Sequence, residues 1–504
     1  MNRFDGIDAF LFDVGGTLVE EAPPGTPVAN LKAELRPGAI ETLRVLGEHH
    51  RIAAVTDTAA MREAEVRVLL DRVGLDGLLE VVVTSIDVGA PKPHPASLNE
   101  ALRRLEVAPE RSVYVGNASV DRDAAIAAGV EFVAVDRGVA EAIERFAHAR
   151  SGPFAEACRR VFPLDEEAAA AALAHHDRLT KPAGSLGRLE ELGVQLAAIA
   201  GECPPPRPEP AAVAVFAADH GVAASGVTPW PQEVTAQMVA NFVAGGAAIN
   251  VIARQVGASV HIVDVGVAAD VSHLDGVIQR NIRPGTADLS CGSAMTVAEA
   301  RAALNTGTSI AVDLLEQGNR LLVTGDMGIG NTTPSAALIA ALTGKGGAVV
   351  TGRGTGIDDE MLVRKTSIVE GAASRTRGWF DPVSILSEVG GLEIAALAGF
   401  IVGGIAGGVP VLVDGVITGA ALLVAEAMAP GVAARCIAGH RSTEPGAAAV
   451  LEHFGFVPVL DFSLRLGEGT GGCLAIPVVQ AAAGVLREMA TFDQAAVSER
   501  DSEI

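Results

Sequence analysis

Short apolar runs recur along almost the whole chain, each ending in a polar or glycine residue and each separated from the next by a stretch of helical length. AFLFD, RIAAVTD, SVYVGN, AAVAVFAADH, SVHIVDVGV, RLLVTGD, VPVLVDG and VPVLDFSL are examples. A run that is apolar at every position must be buried on both faces, the state of a strand in a parallel sheet covered by helices on both sides. The alternation predicts an α/β protein with doubly wound parallel sheets. The polar and glycine residues then gather at the carboxyl edge of each sheet, where open α/β folds bind ligands. At 504 residues the chain exceeds one core. The alternation pauses at Ser151-Gly152-Pro153, after a helical pattern over Val139 to His148, giving two domains, 1–150 and 154–504. CPPPRPEP (Cys203 to Pro210) precedes the run Ala211 to Phe216 and reads as an internal loop, and Ser498 to Ile504 as a frayed tail.

Several functions are excluded by composition. A net charge of −23 argues against nucleic acid or an anionic membrane surface as partner. An anionic small molecule would need a site made attractive locally by backbone N–H groups and a few cations. The five cysteines are scattered, with no CxxC pair and no Cys/His cluster, which fits a reducing cytosol without zinc or disulfides. The first ten residues contain no signal-peptide apolar core. Ile394 to Val413 is uncharged and of membrane-span length, but it holds five glycines and Pro410. It reads as a buried helix, a glycine-rich turn and a buried strand. Glycine is about 11% of the chain (57 of 504) against a usual ~7%, an excess that belongs to turns and to close backbone approach.

The N-terminal part carries chemistry in order. FLFDVGGTLV ends an apolar run at Asp13; AVTD brings Thr56, GAPKPHP brings Lys92, and VYVGNASVDRD brings Asn117 and Asp121. A carboxylate nucleophile, a hydroxyl and a lysine for phosphate oxygens, and further oxygen ligands for Mg²⁺ make a phosphoryl-transfer set. These motifs resemble the haloacid dehalogenase-like hydrolases over about residues 6–150. The resemblance implies Asp13 as phosphatase nucleophile, Thr56 and Lys92 as phosphate contacts, and Asp13, Asn117 and Asp121 as Mg²⁺ ligands. Two positions depart from that family: Gly15 stands where its phosphatases carry a general acid, and Asn117 where they carry Asp. The intervals between motifs are short, so no large cap domain is expected.

The remainder carries LTKPAGSLGRLEEL, FAADHGVAASGVTPWPQEVTAQMV, TGDMGIGNTTPSAA, GRGTGIDDEMLVRK, AGHRSTEPG and LRLGEGTGG, in that order. Together they resemble the nicotinate-nucleotide–dimethylbenzimidazole phosphoribosyltransferases, which form α-ribazole 5′-phosphate for the lower ligand of cobalamin. The resemblance implies a Rossmann-like parallel sheet with a smaller helical part, no cofactor, and a homodimer in the cytoplasm. It makes Glu468 the general base, with Gly467 and Gly469 letting substrates approach the backbone. Gly325, Gly328 and Gly330 are glycines that can turn N–H groups toward an anion. By resemblance this loop contacts the nucleotide, with Asp326 and Asn331 beside it. Gly354, Thr355, Lys365, His440 and Ser442 are further substrate contacts, and Arg441 is either a phosphate cation or a surface charge. Trp230, Gln237, Met238 and Leu466 are candidates for a flat slot holding the benzimidazole, in a chain with only 4% aromatic residues. Asp219 and His220 end an apolar run and read as structural hydrogen-bonding residues, since a metal would need more ligands nearby. The implied activity is phosphoribosyl transfer. The N-terminal unit is either a phosphatase acting on the product or a non-catalytic interaction or dimerisation module.

Overall fold

Five apolar runs build the first sheet in the computed structural model, which describes residues 4, 7–21, 33–58, 60–149, 151–354, 356–379 and 381–498. The strands are β1 (Ala9–Phe12), β2 (Arg51–Thr56), β3 (Val81–Thr84), β4 (Ser112–Gly116) and β5 (Glu131–Ala134), in the order β3-β2-β1-β4-β5, all parallel. Every residue of β1, β3 and β4 is buried, as helices on both faces require. The strand order reverses between β1 and β4, so their carboxyl ends, Asp13 and Asn117, flank the switch point.

The second sheet has six parallel strands: β6 (Ala211–Ala218), β7 (Ser259–Gly266), β8 (Val277–Gln279), β9 (Leu321–Met327), β10 (Val411–Val413) and β11 (Cys436–Ala438). Their order is β11-β10-β9-β6-β7-β8, with the reversal between β6 and β9. The chain divides into two compact units, Met1–Gly152 with Gly378–Asp381, and Pro153–Arg377 with Pro382–Ile504. The tail beyond Ser498 lies outside the described residues.

VPVLDFSL is not a strand. Its only ladder contact is the bridge of Leu460 to His440, and Val457 and Phe462 stay exposed. The run passes the end of β11 without covering both its faces. The uncharged segment Ile394 to Val413 is the expected helix and strand: Leu392–Ala406 is buried throughout Leu392 to Ile405, and β10 follows. The stretches 233–256 and 470–488 are long and apolar enough to cross a membrane by length and composition. However, the first is two helices, Glu233–Val243 and Ala248–Val256, and the second contributes Cys473, Ile476 and Val479 to the core.

The buried helix owes its place to glycine. A Cβ at Gly399 would lie 1.9 Å from the Leu304 carbonyl oxygen, and one at Gly307 would lie 1.7 Å from that of Ala396. The backbones of Val297–Glu316 and Leu392–Ala406 therefore touch, and no side chain fits between them. Gly399→Ala is expected to lower stability by about 3 kcal/mol, the upper end for overpacked cores. Gly371→Ala, in an exposed helical position with open space around it, should instead raise stability by up to about 1 kcal/mol. Thermal midpoints of the two variants moving in the same direction would refute this account of the crossing.

Candidate active site

Glu468 lies where the second sheet reverses. Gly467, Glu468 and Gly469 all have positive φ (84°, 63° and 87°), a left-handed run that costs a non-glycine residue about 1 kcal/mol. The flanking glycines press the turn onto β6 and β9. A Cβ at Gly469 would meet the Thr324 carbonyl oxygen and Val213 at 3.0 Å, and one at Gly467 would lie 3.2 Å from the Asp326 carboxylate. Gly325 is a residue of β9 rather than of an anion-binding loop. Its missing side chain makes room for the Glu468 carbonyl oxygen, 2.7 Å from where a Cβ would sit. Glu468 is therefore buried, unlike the side chain of an open loop. Burial raises its pKa, against the Ile249 N–H that donates to Oε2 at 3.3 Å from the start of helix Ala248–Val256; the charge of Asp414 adds to the rise.

Asp326 ends β9 beside it. Its Oδ2 accepts from Asn331 Nδ2 at 2.9 Å, and its Oδ1 has no hydrogen-bond partner among the described residues. Burial pushes this carboxyl well above the usual range, and the nearby carboxylates of Asp414 and Glu393 push the same way. Burial thus raises Asp326 more strongly than Glu468, a separation that suits two carboxyls to different tasks. In the turn that follows, the Ile329 N–H donates to Thr235 Oγ1 at 3.1 Å, and Gly330 has φ 90°.

Lys365 is almost fully buried. Its Nζ donates to Thr332 Oγ1 at 2.8 Å and to the Gly352 carbonyl oxygen at 3.0 Å, tying the glycine stretch 352–354 to the start of helix Thr332–Thr343. Glu444 Oε1 accepts the Gly354 N–H at 2.9 Å from the other side. Thr355 lies outside the described residues. Burial lowers the Lys365 pKa to about 8, with Glu444 opposing. Between about pH 8 and 10.5 the unfolded chain then keeps a proton that the folded chain has released, so stability rises with pH through that window. The thermal midpoint of the C-terminal transition should rise relative to Lys365→Met between those values, by the equivalent of at most about 3 kcal/mol. Parallel profiles would mean that Lys365 stays charged.

His440 is buried with Nε2 3.5 Å from Asp414 Oδ1, and Ser442 Oγ accepts the Glu444 N–H at 3.3 Å. Arg441 is half-exposed, with its Nε 3.3 Å from Asp461 Oδ2. Asp414 follows β10, and its Oδ1 accepts the Gly472 N–H at 2.8 Å, with the N–H groups of Gly471 and Gly469 also turned toward it. Burial raises its pKa, against His440 and these N–H groups. Asp219 Oδ2 accepts the Ala268 N–H at 2.8 Å, and His220 Nε2 lies 2.9 Å from Glu393 Oε1 with both side chains fully buried. Trp230 and Leu466 are exposed by half or more, Gln237 is exposed, and Met238 packs partly buried on the core. No hydrogen bond among the described residues joins Trp230 or Gln237 to Glu468.

In the N-terminal unit, Lys92 Nζ sits between two carboxylates, 2.7 Å from Asp13 Oδ1 and 2.6 Å from Asp121 Oδ1. The Tyr114 hydroxyl accepts from Lys92 at 3.0 Å and donates to Asp121 Oδ1 at 3.1 Å, while Asp121 Oδ2 accepts the Ala118 N–H at 3.0 Å. Burial lifts Asp13 to about 7 against the pull of Lys92. For Lys92 burial works against the charge, but the two carboxylates outweigh it and its pKa is raised. Thr56 is buried at the end of β2. Asp121 accepts from Lys92 and Tyr114 through Oδ1 and caps helix Ser119–Ala128 through Oδ2. The Asn117 side chain covers the turn, since a Cβ at Gly16 would lie 2.3 Å from its Nδ2, and Asn117 Oδ1 accepts from Thr17 at 3.1 Å. Asp13 and Asn117, at the ends of the two strands flanking the switch point, supply oxygens of the kind that would hold a Mg²⁺ keeping most of its waters. Bound there, the ion would offset the charge of a phosphoryl group.

Residues 161–497 match the model of a phosphoribosyltransferase family, and residues 27–135 that of the haloacid dehalogenase-like hydrolases. The nicotinate-nucleotide–dimethylbenzimidazole phosphoribosyltransferase of Salinispora tropica is 55% identical over 353 residues, which cover 67% of this chain and 97% of that protein. The chain belongs to the nicotinate-nucleotide–dimethylbenzimidazole phosphoribosyltransferase family. The protein of the same description from Chloroflexus aurantiacus is 51% identical over 342 residues, 68% of this chain and 97% of its own. A crystal structure of the Thermus thermophilus phosphoribosyltransferase superposes with a TM-score of 0.64 at 46% identity, covering 67% of this chain and all of that one. This phosphoribosyltransferase carries in addition a haloacid dehalogenase-like N-terminal unit.

Around the phosphoribosyltransferase site, Asp414, Glu444 and Glu393 were not among the residues singled out from sequence. Asp414 stood at the end of VPVLVDG and Glu444 within AGHRSTEPG, so each had a signal; Glu393, inside an apolar helix, had none.

Proposed function

We propose that the C-terminal unit transfers the 5-phosphoribosyl group from nicotinate mononucleotide to 5,6-dimethylbenzimidazole, giving nicotinate and α-ribazole 5′-phosphate. The leaving ring is bonded through a cationic pyridinium nitrogen and departs neutral, so no general acid is needed. The incoming ring attacks C1′ through one nitrogen and must lose the proton on the other, so one base suffices. The observation that carries this is Glu468: a buried carboxylate of raised pKa, fixed in a left-handed glycine turn over the switch point. Asp326, with its carboxyl beside Glu468 and its pKa raised by burial, is placed to orient ribose or base. Gly328, Gly330, Asn331, Gly354, Lys365, His440 and Ser442 would hold the nucleotide, and Trp230, Gln237, Met238 and Leu466 the benzimidazole. The displacement calls for no cofactor, and the pathway is cobalamin lower-ligand synthesis by a cytoplasmic homodimer. Product analysis with both substrates tests this: α-ribazole 5′-phosphate and nicotinate should form in equal amounts. Absence of nicotinate release would reject it.

For the N-terminal unit the reading is phosphoryl transfer to Asp13, supported by Lys92 beside it and by Thr56 buried at the end of the adjacent strand β2. The pairing of two units on one chain makes α-ribazole 5′-phosphate a substrate to try. Gly15 and the neutral Asn117 favour the other reading, a non-catalytic interaction or dimerisation module. Asp13→Asn that leaves every activity of the chain untouched would support that module.

A further inference from the structure

His220 and Glu393 form a fully buried pair, Nε2 to Oε1 at 2.9 Å, and neither takes part in the displacement at C1′. Glu393 is the one charged residue of helix Leu392–Ala406, which is otherwise apolar. Burial works against a charge on His220, but Glu393 and Asp219 outweigh it and its pKa is raised. Apolar residues of similar volume usually serve stability as well as a buried ion pair does, so stability does not account for this one. The backbone is pared to glycine at two places around the ring. A Cβ at Gly391 would lie 2.5 Å from His220 Cε1 and 2.7 Å from Glu393 Oε2. One at Gly328 would lie 3.2 Å from His220 Nε2 and 2.4 Å from the Ala218 carbonyl oxygen. Neither glycine has a positive φ, so what each supplies is room. Gly328 belongs to the turn that leaves β9. That turn is tied at Ile329, whose N–H donates to Thr235 Oγ1, and at Asn331, whose Nδ2 donates to Asp326 Oδ2. At Gly328 it rests on the imidazole and on the end of β6. We propose that His220 and Glu393 are positioning residues for phosphoribosyl transfer: Glu393 fixes the imidazole, the imidazole seats Gly328, and the turn from Asp326 to Asn331 is thereby held against the nucleotide. The inference rests on the transferase reading and deepens it.

Displacement at C1′ needs the attacking nitrogen, C1′ and the departing pyridinium nitrogen in line. Glu468 and its own turn govern the attacking ring, and the turn after β9 governs the nucleotide. Without a fixed ring beneath it, Gly328 can sink toward β6 and take Asp326 and the ribose with it. A shift of ~1 Å at the reacting centre can cost about 10²-fold in rate. Neither His220 nor Glu393 touches a reacting atom, so they act only through that turn. The candidate benzimidazole contacts, Trp230, Gln237, Met238 and Leu466, lie on other segments. The loss should therefore fall on kcat and leave the affinity for the benzimidazole in place.

The full chain is tested as wild type, Glu393→Gln, Glu393→Leu, and Glu393→Leu combined with His220→Phe. Calorimetric binding of 5,6-dimethylbenzimidazole counts the folded sites, and kcat is expressed per binding site beside the KM of each substrate. Glu393→Gln keeps an acceptor for the imidazole N–H and should keep most of the turnover. Glu393→Leu should lose about 10²-fold in kcat, with the KM for the benzimidazole unchanged. The double variant replaces the pair by apolar groups. It should bind the base and keep its thermal midpoint, yet stay as slow as Glu393→Leu. It therefore decides the matter if Glu393→Leu alone does not fold. Wild-type turnover per site in the double variant would show that the pair only fills space and would overturn the inference. An equal loss of kcat in Glu393→Gln and Glu393→Leu would overturn it as well, because the retained hydrogen bond would then hold nothing. Failure of both Leu variants to bind the base would make the pair a folding requirement, again against the inference. Wild type that binds the base but forms no α-ribazole 5′-phosphate from nicotinate mononucleotide would instead end the transferase reading itself.

Discussion

Glu468→Gln is expected to lower turnover by about 10²–10⁴-fold, the usual contribution of a general base, while substrate binding is largely kept. The amide preserves the shape of a side chain packed between β6, β9 and the start of helix Ala248–Val256, but it cannot accept the ring proton. A loss confined to KM would instead mark Glu468 as a binding residue. The pH profile gives a second readout. Because burial raises the Glu468 pKa, kcat/KM should fall with decreasing pH at a midpoint above the ordinary 4.5, and that limb should vanish in the variant.

The second large effect is expected one step behind the base. Asp414 touches no proposed reacting atom, yet it accepts the Gly472 N–H at 2.8 Å and faces the N–H groups of Gly469 and Gly471. It therefore fixes the turn that carries Glu468. Asp414→Ala leaves buried N–H groups without an acceptor, which costs about 1–3 kcal/mol. It also frees the turn to shift, and a misplacement of ~1 Å can cost about 10²-fold in rate. Asp414→Asn keeps an acceptor oxygen and should restore most of the turnover. If the Asn variant is as inactive as the Ala variant, the charge of Asp414 matters rather than its hydrogen bonds. Retained turnover in the Ala variant would remove Asp414 from the account.

Asp414 follows a strand, and that much was legible, whereas Glu468 stands in a glycine turn that no strand immediately precedes. Strands buried on both faces write themselves as unbroken apolar runs, so β1, β2, β4, β6, β7, β9 and β10 and the polar residues ending them could be read directly. Long-range convergence was not legible. Asp414 and Gly472 are 58 residues apart, and nothing local to VPVLVDG says that its closing carboxylate meets the glycine turn. The role of Gly325 was also misassigned. A glycine in such a motif can expose N–H groups or admit a neighbouring backbone; Gly325 does the second, and only the packed Glu468 carbonyl reveals it. VPVLDFSL failed for the opposite reason. Its composition suits a strand, but it passes the sheet edge with one bridge, where side-chain pattern carries little information about pairing. In the N-terminal unit the order of Asp13, Thr56, Lys92 and Asp121 was enough to find the cluster. That Asp121 serves Lys92 depended on Tyr114, a residue fully buried within β4 whose hydroxyl no motif marked.

The most direct test is a crystal structure of the wild-type chain with 5,6-dimethylbenzimidazole bound. The ring N–H should lie about 2.6–3.2 Å from a Glu468 carboxylate oxygen, with the other ring nitrogen facing the space beside Asp326. A ring bound elsewhere, or one whose N–H donates to a different group while Glu468 keeps only the Ile249 N–H, would contradict the assignment of Glu468 as the base.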